Sequence, residues 1–356
     1  MNTLKHLVIF IAVLFIIPGI QAQDVHFSQF AMSPLLLNPS LAGLSNGDYR
    51  VYANFRTQWN TVNNGDAYRT LAAGVDMAIG KAAPSGSYAG IGLSFFSDQS
   101  GAVSFNTNNI SLTAAYHIML NRNHNTSLSI GLQGGGYSRG FDASKALYDF
   151  NYDQGTGAIT TGQRESFSRT QVYYADVSAG LFFTTTLRSG TDLYIGSSLG
   201  HINQPTISYF SGAASPSAFN ERLDMKFTAH GGASIVVNPK LWFVPNFFMM
   251  IQGPASQYNA GAMFKMQIGN KVLTKNFLYL GAQVRIANAM DIPMADAVIA
   301  HVRFDYKGLT VGLSYDVNIS KLNVSTSSFG APEVSLMYTI KSKYKNKYQG
   351  YCPVMM

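Results

Sequence analysis

Residues 308–320 read Gly-Leu-Thr-Val-Gly-Leu-Ser-Tyr-Asp-Val-Asn-Ile-Ser, and this stretch decides the fold. From Leu309 to Ile319 every odd-numbered position is apolar, and every position between them is small or polar. A period of two is typical of a β-strand. A strand of this length with one apolar and one polar face can cross a bilayer at a tilt.

The same alternation recurs about fourteen times from residue 48 onward, and an even number is usual in bacterial outer-membrane barrels. One segment is apolar on both faces and contains Pro245, so we expect a bulge or bend there. The sequence predicts an all-β fold, a transmembrane antiparallel outer-membrane β-barrel over residues 48–341. The predicted strands are 48–57, 69–80, 87–97, 105–119, 126–137, 172–187, 191–203, 223–236, 240–250, 257–269, 275–287, 294–305, 308–319 and 331–341.

Composition agrees with a barrel whose strands face lipid on one side and a polar lumen on the other. Charged residues make up 12% of the chain, about half the usual share, while apolar residues make up 47%. The chain has 20 Tyr, 23 Phe and 33 Gly. The net charge of +7 does not indicate nucleic-acid binding, because the basic residues are scattered except near the C-terminus.

The predicted connections alternate in length. Every second one is short, and those between them are mostly longer, the longest covering residues 138–171. Short periplasmic turns and longer external loops are typical of outer-membrane barrels. We therefore expect both termini in the periplasm and the long loops outside.

The N-terminus has the pattern of a cleavable signal peptide over residues 1–22. An apolar run at 7–17 follows Lys5, and Ile20-Gln21-Ala22 offers a signal-peptidase site. The single cysteine, Cys352, excludes an intramolecular disulfide. These features predict an exported protein of the Gram-negative outer membrane.

Two segments flank the predicted barrel. Residues 23–47 do not alternate and contain three consecutive leucines, which favours a plug in the lumen over packing beneath the periplasmic mouth. Residues 342–356 form a basic tail. Its Lys343, Lys345 and Lys347 are spaced by two and are either a docking site for an acidic partner or a solvated end.

Arg56, Gln58 and Trp59 lie near the outer end of the first predicted strand. Arginine and tryptophan are common anchors of protein–protein contacts, so these three residues are candidate partner contacts. The alternative is an interfacial aromatic girdle, formed with Tyr52 and Phe55, beside an arginine that extends to the membrane surface.

His301, Arg303 and Asp305 alternate on the predicted lumenal face of one strand. Arg285 and Asp316 occupy lumenal positions on neighbouring strands. Such a row either binds an anionic or peptidic ligand or forms polar ladders that fill the barrel interior, and the ladder is favoured.

No catalytic or cofactor chemistry is predicted. Residues 196–200 fit Gly-x-Ser-x-Gly, but this pattern needs a strained turn, and here Ser198 lies inside a predicted strand. No set of His, Asp or Glu has the spacing of a metal site. We expect a protein that is not an enzyme.

The chain also contains several distinctive motifs: Asp-Val-His-Phe-Ser-Gln-Phe at 24–30, Pro-Leu at 34–35, Asn-Pro-Ser-Leu-Ala-Gly at 38–43, Arg-Thr-Gln-Trp at 56–59, the predicted strands at 314–320 and 330–336, and Cys-Pro at 352–353. Together they resemble the PorP/SprF family of type IX secretion and gliding components of Bacteroidetes. The last three residues, Val-Met-Met, depart from the basic residue and final aromatic expected there.

The resemblance implies a FadL-like barrel that retains, exports or surface-anchors a secreted partner through that partner's type IX C-terminal sorting domain. It also implies contacts with other type IX secretion components. The alternative is a FadL-type channel or transporter for small or hydrophobic solutes. Conductance in planar bilayers distinguishes the two functions.

Overall fold

The computed structural model describes residues 24, 26–59, 67–81, 85–146, 169–187, 190–209, 221–269, 276–289, 292–320 and 330–340. In these residues fourteen antiparallel strands form one closed barrel, with each strand beside its neighbours in sequence and the first paired with the last. The strands are β1 (Tyr49–Gln58), β2 (Tyr68–Ile79), β3 (Tyr88–Ser100), β4 (Phe105–Met119), β5 (Thr126–Gly140), β6 (Gln171–Thr186), β7 (Asp192–Gly200), β8 (Lys226–Asn238), β9 (Leu241–Gln252), β10 (Ala255–Ile268), β11 (Asn276–Ala289), β12 (Ile292–Tyr306), β13 (Leu309–Asn318) and β14 (Ala331–Ile340).

The outer wall of the barrel is apolar, and the inner wall is mostly polar. On β13, Leu309, Leu313 and Val317 are exposed on the outside, while Thr310 and Asp316 are buried inside. An outer apolar band is what a membrane-spanning barrel requires. The predicted strand number, closure and sidedness are confirmed.

The two ends of the barrel differ in their connections. Long connections, including 141–170 and 201–225, lie at one end, here called the long-loop end. The connections at the other, the short-turn end, where β1 begins and β14 ends, have eight residues or fewer. The long-loop end also has two connections of only two residues, 253–254 and 290–291. The turn between β12 and β13 consists of Lys307 and Gly308, with φ of 51° and 91°. Two successive positive φ values are typical of the type I′ hairpin turn, whose twist matches that of the strands.

The predicted bulge at Pro245 is not found, whereas the alternative, a bend in the strand, stays a prediction. The register between β9 and β10 continues unbroken through the pair Pro245–Ala262. On the other side of β9, the shift in register falls between Val236 and Asn238 of β8. The proline is accommodated without an inserted residue, and the irregularity lies near the short-turn end instead.

Residues 26–47 lie inside the barrel, and we call them the plug. The plug contains one short α-helix, α1 (Pro34–Leu37), and two 3₁₀ turns, Phe30–Met32 and Pro39–Leu41. A further 3₁₀ turn, Ala143–Lys145, follows β5. None of the helices in the described part of the chain is long and apolar enough to span a membrane.

Apolar plug side chains pack against apolar side chains of the inner wall. Leu35 and Leu41 are fully buried. Leu35 packs in a cluster with Tyr52 of β1, and Phe30 stacks on Phe248 of β9 at 5.0 Å. Burial of each leucine contributes about 1.5–3 kcal/mol. The assignment of Tyr52 to an interfacial girdle is therefore wrong, since its ring faces the lumen, whereas Phe55 faces outward.

Close approach of the plug to the wall depends on inward-facing glycines. A Cβ at Gly90 would lie 1.8 Å from the Ala42 carbonyl oxygen, and one at Gly131 would lie 2.3 Å from the Ser40 nitrogen. Both distances are shorter than any non-bonded contact allows. The backbone of the 3₁₀ turn Pro39–Leu41 consequently lies directly against β5, and the backbone of Ala42, just after the turn, lies against β3.

Candidate functional site

The lumen between the plug and the wall carries most of the buried polar groups, and it forms the candidate site. Near the long-loop end, the Glu333 carboxylate accepts hydrogen bonds from the backbone N–H groups of Ser28 and Gln29 at 2.8 and 2.9 Å. The Ser28 hydroxyl donates to Asp316 at 2.7 Å. These bonds satisfy plug backbone that is excluded from water.

Charged side chains from five strands surround this contact, and we call them the lumenal charge cluster: Arg56, Arg285, Asp296, Asp316 and Glu333. Arg56 pairs with Asp316 at 2.8 Å and lies 3.9 Å from Glu333. Arg285 pairs with Asp316 at 2.6 Å and with Asp296 at 2.9 Å. Each buried charge has an opposite charge beside it, as burial demands.

A second anchor holds the plug at the short-turn end. Arg50 forms a two-bond pair with Asp76 at 2.6 and 2.9 Å, and it also donates to the carbonyl oxygens of Leu41 and Leu44. The Gly43 N–H donates to Asp76 at 2.7 Å. An arginine with planar bidentate geometry fixes both position and orientation.

The middle of the plug is held by Asn38 and His117. Asn38 is fully buried, and its amide donates to the Leu181 and Ser197 carbonyl oxygens at 2.9 and 3.1 Å. His117 Nε2 lies 2.8 Å from the Ala42 carbonyl oxygen, which can only accept. Nε2 therefore carries the proton in this contact, and Nδ1 faces the Ser129 hydroxyl at 2.6 Å.

Asp24 ties the start of the described chain to the wall at the long-loop end. Its carboxylate accepts from Lys226 and from His201 Nε2, each at 2.7 Å, while His201 Nδ1 donates to Asp176 at 2.7 Å. Burial opposes the charged form, but Lys226 and His201 outweigh it and hold the pKa of Asp24 well below its usual value. Burial would lower the pKa of His201, but Asp24 and Asp176 raise it instead.

An open space remains above the plug at this end, and we call it the long-loop cavity. Its volume is about 160 Å³, and Leu36 and Pro39 of the plug form its floor. Its walls combine aromatic rings with charged groups, among them Asp98 and Arg139. A concave site with a few placed polar groups is the usual form of a ligand pocket.

The predicted rim position of Arg56 is wrong. Its side chain points into the lumen, is 4% exposed and pairs with Asp316. Position 56 has the same parity as the inward-facing Tyr52 and Asn54, so it lies on the inner wall. Arg56 accordingly offers no surface to an external partner, and its guanidinium is not at the membrane boundary.

Gln58 and Trp59 lie at the long-loop end and are partly buried. Gln58 accepts a bond from Arg56 at 3.4 Å, and the Trp59 ring packs edge-on against Tyr68 at 5.2 Å. Their role as partner contacts stays a prediction. Lys343, Lys345 and Lys347 lie outside the described residues, as do the signal peptide and the basic tail.

The five lumenal candidates all face inward. Arg285 and Asp316 belong to the lumenal charge cluster. Arg303 pairs with Asp305 at 3.0 Å on the same strand, and Asp305 also accepts from Thr310 of β13 at 2.8 Å. His301 lies two residues before Arg303 on the same strand and is also buried. The row therefore makes bonds both along and between strands.

Sequence reasoning did not find Glu333, Asn38 or His201 as structural anchors. Glu333 could have been found, because it occupies an inward-facing position on an alternating strand. Asn38 lies outside the predicted strands, where alternation gives no information. His201 falls within the predicted strand 191–203, but β7 ends at Gly200, so alternation does not give its orientation.

The serine of the Gly-x-Ser-x-Gly pattern has a structural contact. Ser198 lies on the inner wall of β7 and donates its hydroxyl hydrogen to the Leu37 carbonyl oxygen at 3.0 Å. Within the residues that the structure describes, no group of three or more His, Cys, Asp or Glu side chains is placed to hold a metal ion.

Among known protein families, the model described as type IX secretion system membrane protein PorP/SprF matches residues 20–338 of this chain. A search of curated protein sequences gives no match.

Similar solved structures include the CymD monoaromatic hydrocarbon channel, with 11% identity and a TM-score of 0.47 over 90% of this chain and 96% of that chain. A Pseudomonas aeruginosa FadL homologue has 10% identity and a TM-score of 0.47, over 85% and 92% of the two chains. The translocator domain of the autotransporter NalP from Neisseria meningitidis has 13% identity and a TM-score of 0.33, over 83% and 90%.

Proposed function

Because the chain belongs to the PorP/SprF family of type IX secretion membrane proteins, we propose that it retains or helps to export a partner protein at the outer membrane. The partner is recognised through its C-terminal sorting domain and becomes attached to the cell surface. Other type IX secretion components are further partners. The barrel acts by binding and has no catalytic activity of its own.

The observation that best supports this proposal is that the plug fills the lumen. The N-terminal block with the motifs of the family is the same segment that fills the lumen, and it is bonded to the wall near both ends. A lumen filled in this way gives small solutes no wide path. This favours a binding role over the alternative, a FadL-type channel or transporter.

Two surfaces are proposed to meet partners. With the long loops outside the cell, Gln58 and Trp59 lie on the side that faces a surface-attached partner. β14 ends at Ile340 at the short-turn end, which we assign to the periplasmic side. Lys343, Lys345 and Lys347 follow it in the sequence and are proposed to dock an acidic component of the secretion apparatus.

The first test compares the surface proteins of the native strain and a strain that lacks this chain. Cells are treated with a protease that does not enter the periplasm, and the released peptides are identified by mass spectrometry. We expect one or a few proteins with a sorting domain to disappear from the surface, while other outer-membrane proteins remain. An unchanged set of surface proteins would contradict the proposal.

The second test removes residues 343–356 from the full-length barrel. We expect periplasmic secretion components to be lost from affinity purification, while the barrel still shows the heat-dependent gel mobility of a folded protein. A variant with Lys343, Lys345 and Lys347 changed to Gln separates the effect of charge from that of length. Unchanged co-purification with both variants would exclude docking by the tail.

A further inference from the structure

The long-loop cavity has an ordered inner wall. The register pairs Asp98 of β3 with Thr107 of β4, and Thr107 with Arg139 of β5, so these three inward-facing side chains form one row. The next inward row contains Phe96 on β3 and Tyr137 on β5. Polar groups thus lie directly above aromatic ones, when the barrel is viewed with its long-loop end at the top.

Arg139 differs from the other cations that line the cavity. Lys226 pairs with Asp24, and His201 lies between Asp24 and Asp176. Arg139 forms no ion pair within the described residues, and its buried Nε has no hydrogen-bond partner. The buried Nε cannot be reached from the cavity, but the terminal guanidinium nitrogens are not among the buried atoms and can donate charged hydrogen bonds to an anionic acceptor.

Arg139 is held in place by an aromatic ring rather than by an acid. The centre of its guanidinium lies 4.9 Å from the centre of the Phe105 ring. A cation–π contact of this kind helps to hold the guanidinium in place and leaves its two terminal nitrogens available for hydrogen bonds. A carboxylate matches these two nitrogens in geometry and charge.

Aromatic side chains form the apolar part of the cavity. Tyr137 and Tyr174 stack with ring centres 5.1 Å apart and planes inclined by 5°. Phe96 and Phe105 line the same space. A planar apolar group would fit beside these rings, since aromatic pairs favour offset or edge-on contacts at such distances.

Asp98 restricts the chemistry of the ligand. It lies two strands from Arg139 in the same row, is buried, and accepts a hydrogen bond from Thr70 at 2.7 Å. A ligand with two negative charges would be repelled by this carboxylate. A ligand with one carboxylate for Arg139 and an N–H group for Asp98 would satisfy both.

We propose that the long-loop cavity is a binding site for a carboxylate joined to an aromatic or other planar apolar group. The terminal residue of a peptide chain and a free aromatic acid both have this chemistry, and Asp98 selects the peptide. The inference goes beyond the proposed function, because it concerns the isolated barrel and needs no secretion partner.

The experiment measures binding to the purified full-length barrel in lipid nanodiscs. The probes are the peptide Gly-Gly-Gly-Phe, labelled at its N-terminus with a dye and followed by fluorescence anisotropy, and the same peptide with a C-terminal amide. Unlabelled 3-phenylpropanoate serves as the competitor. We expect the free carboxylate to bind about 10- to 100-fold more tightly than the amide, since a charged hydrogen bond contributes about 1.5–3 kcal/mol.

Substitution locates the site. Arg139→Gln should remove the preference for the carboxylate and leave binding of the amide peptide unchanged. Arg69→Gln is the matched control, because Arg69 is exposed on the outer face of β2 at the same end of the barrel. Asp98→Asn should weaken binding of the peptide but not competition by 3-phenylpropanoate.

Binding of 3-phenylpropanoate is also measured directly, by isothermal titration calorimetry. If it binds and the labelled peptide does not, the site is supported and is assigned to a free acid. Absence of binding by both overturns the proposal, as does equal binding of carboxylate and amide to the native barrel, a comparison that needs no variant to fold. An equal loss in Arg69→Gln and Arg139→Gln would also overturn it, because the attraction would then be a general effect of positive charge.

Discussion

Asp316 receives hydrogen bonds from three separate parts of the chain. Ser28 of the plug, Arg56 of β1 and Arg285 of β11 all donate to its carboxylate at 2.6–2.8 Å. Asp316 is 2% exposed. A single carboxylate therefore compensates two buried guanidinium groups and holds the plug against the wall.

The first prediction is that Asp316→Asn destabilises the folded barrel by about 3–5 kcal/mol, because two buried cations lose their shared negative charge. The measurement is the free energy of unfolding in urea, with the barrel in lipid vesicles. Asp296→Asn is the matched control, since its side chain is 29% exposed and Arg285 keeps Asp316. Equal losses in the two variants would contradict this account.

The second prediction concerns pH and His201. Its pKa is raised above 6.5 by Asp24 and Asp176, so its contribution to stability is complete below pH 6.5 and is lost as pH rises through the raised value. The pKa of Asp24 is lowered, and Asp24 stays charged throughout this range.

We expect the difference in melting temperature between the native barrel and His201→Gln to be larger at pH 6 than at pH 9. Thermal unfolding followed by circular dichroism at both pH values gives this difference. A gap that stays constant would show that the imidazolium is not responsible.

For individual residues, the sequence predicts which side chains face the lumen better than it predicts their hydrogen-bond and ion-pair partners. Arg285, Arg303 and Asp316 were assigned to the lumen because alternation determines the face of a strand. The prediction for Arg56 is wrong, because it rests on the neighbouring Gln58 and Trp59 at the strand end and not on the inward-facing parity of position 56. Pairing of Arg56 with Asp316 depends on the closure of the barrel, which brings β1 close to β13 across β14.

Among the elements, β5 shows most clearly how the wall and plug fit together. Its inward-facing Gly131 lies against the plug backbone, whereas a Cβ added to its outward-facing Gly134 would meet no atom within 4 Å. One strand thus offers the same residue type in a crowded and in an open environment.

The third prediction is that Gly131→Ala displaces the plug, because its Cβ would lie 2.3–2.6 Å from the backbone of Pro39 and Ser40. We expect a destabilisation of about 1–3 kcal/mol, as for other overpacked sites. Hydrogen exchange of the 3₁₀ turn Pro39–Leu41 and the free energy of unfolding are the measurements.

Gly134→Ala is the control and should change neither quantity appreciably. If Gly131→Ala left exchange of the turn unchanged, the close contact between plug and wall would be refuted.

Elements with strong alternation were predicted most accurately. The bounds of β4 agree with the predicted strand 105–119, and β14 differs from its prediction by one residue. The bulge was misplaced, because a proline in a strand can be tolerated where only one ladder bond is lost, and Pro245 keeps its register with β10. The helix and turns of the plug have no periodic pattern, and their conformation depends on contacts with the wall.

For the whole molecule, the filled lumen determines what can pass. The fourth prediction is that the native barrel gives no stable large conductance in planar bilayers, because the plug is bonded to the wall near both ends of the lumen. Stable large currents from the native barrel would support the solute-channel alternative.

A variant in which Asn38, Arg50 and Glu333 are changed to Ala should loosen the plug and show frequent channel openings. Arg69→Ala, on the outer surface, is the control and should remain closed. Closed behaviour of both variants would mean that the plug does not seal the lumen by these contacts.

Fold class and strand number follow from the sequence because a membrane imposes one rule on every strand. The side chains that face the lumen are not constrained in this uniform way. Their polar groups can find hydrogen-bond partners in many ways. Whether Ser28 bonds to Asp316 or to another carboxylate depends on the register of all fourteen strands of the described barrel.

The two plug residues Ser28 and Gln29 meet the barrel where its first and last strands join. Glu333 on β14 accepts their backbone N–H groups, and Arg56 on β1, which is paired with Glu333 in the register, donates to the Ser28 hydroxyl. Joining of the strand edges and seating of the N-terminal segment thus share the same atoms. By reciprocity, each step stabilises the other to the same extent. The wall of this barrel and the seal of its interior therefore assemble as one cooperative unit, and an agent that extracts the segment also weakens the seam.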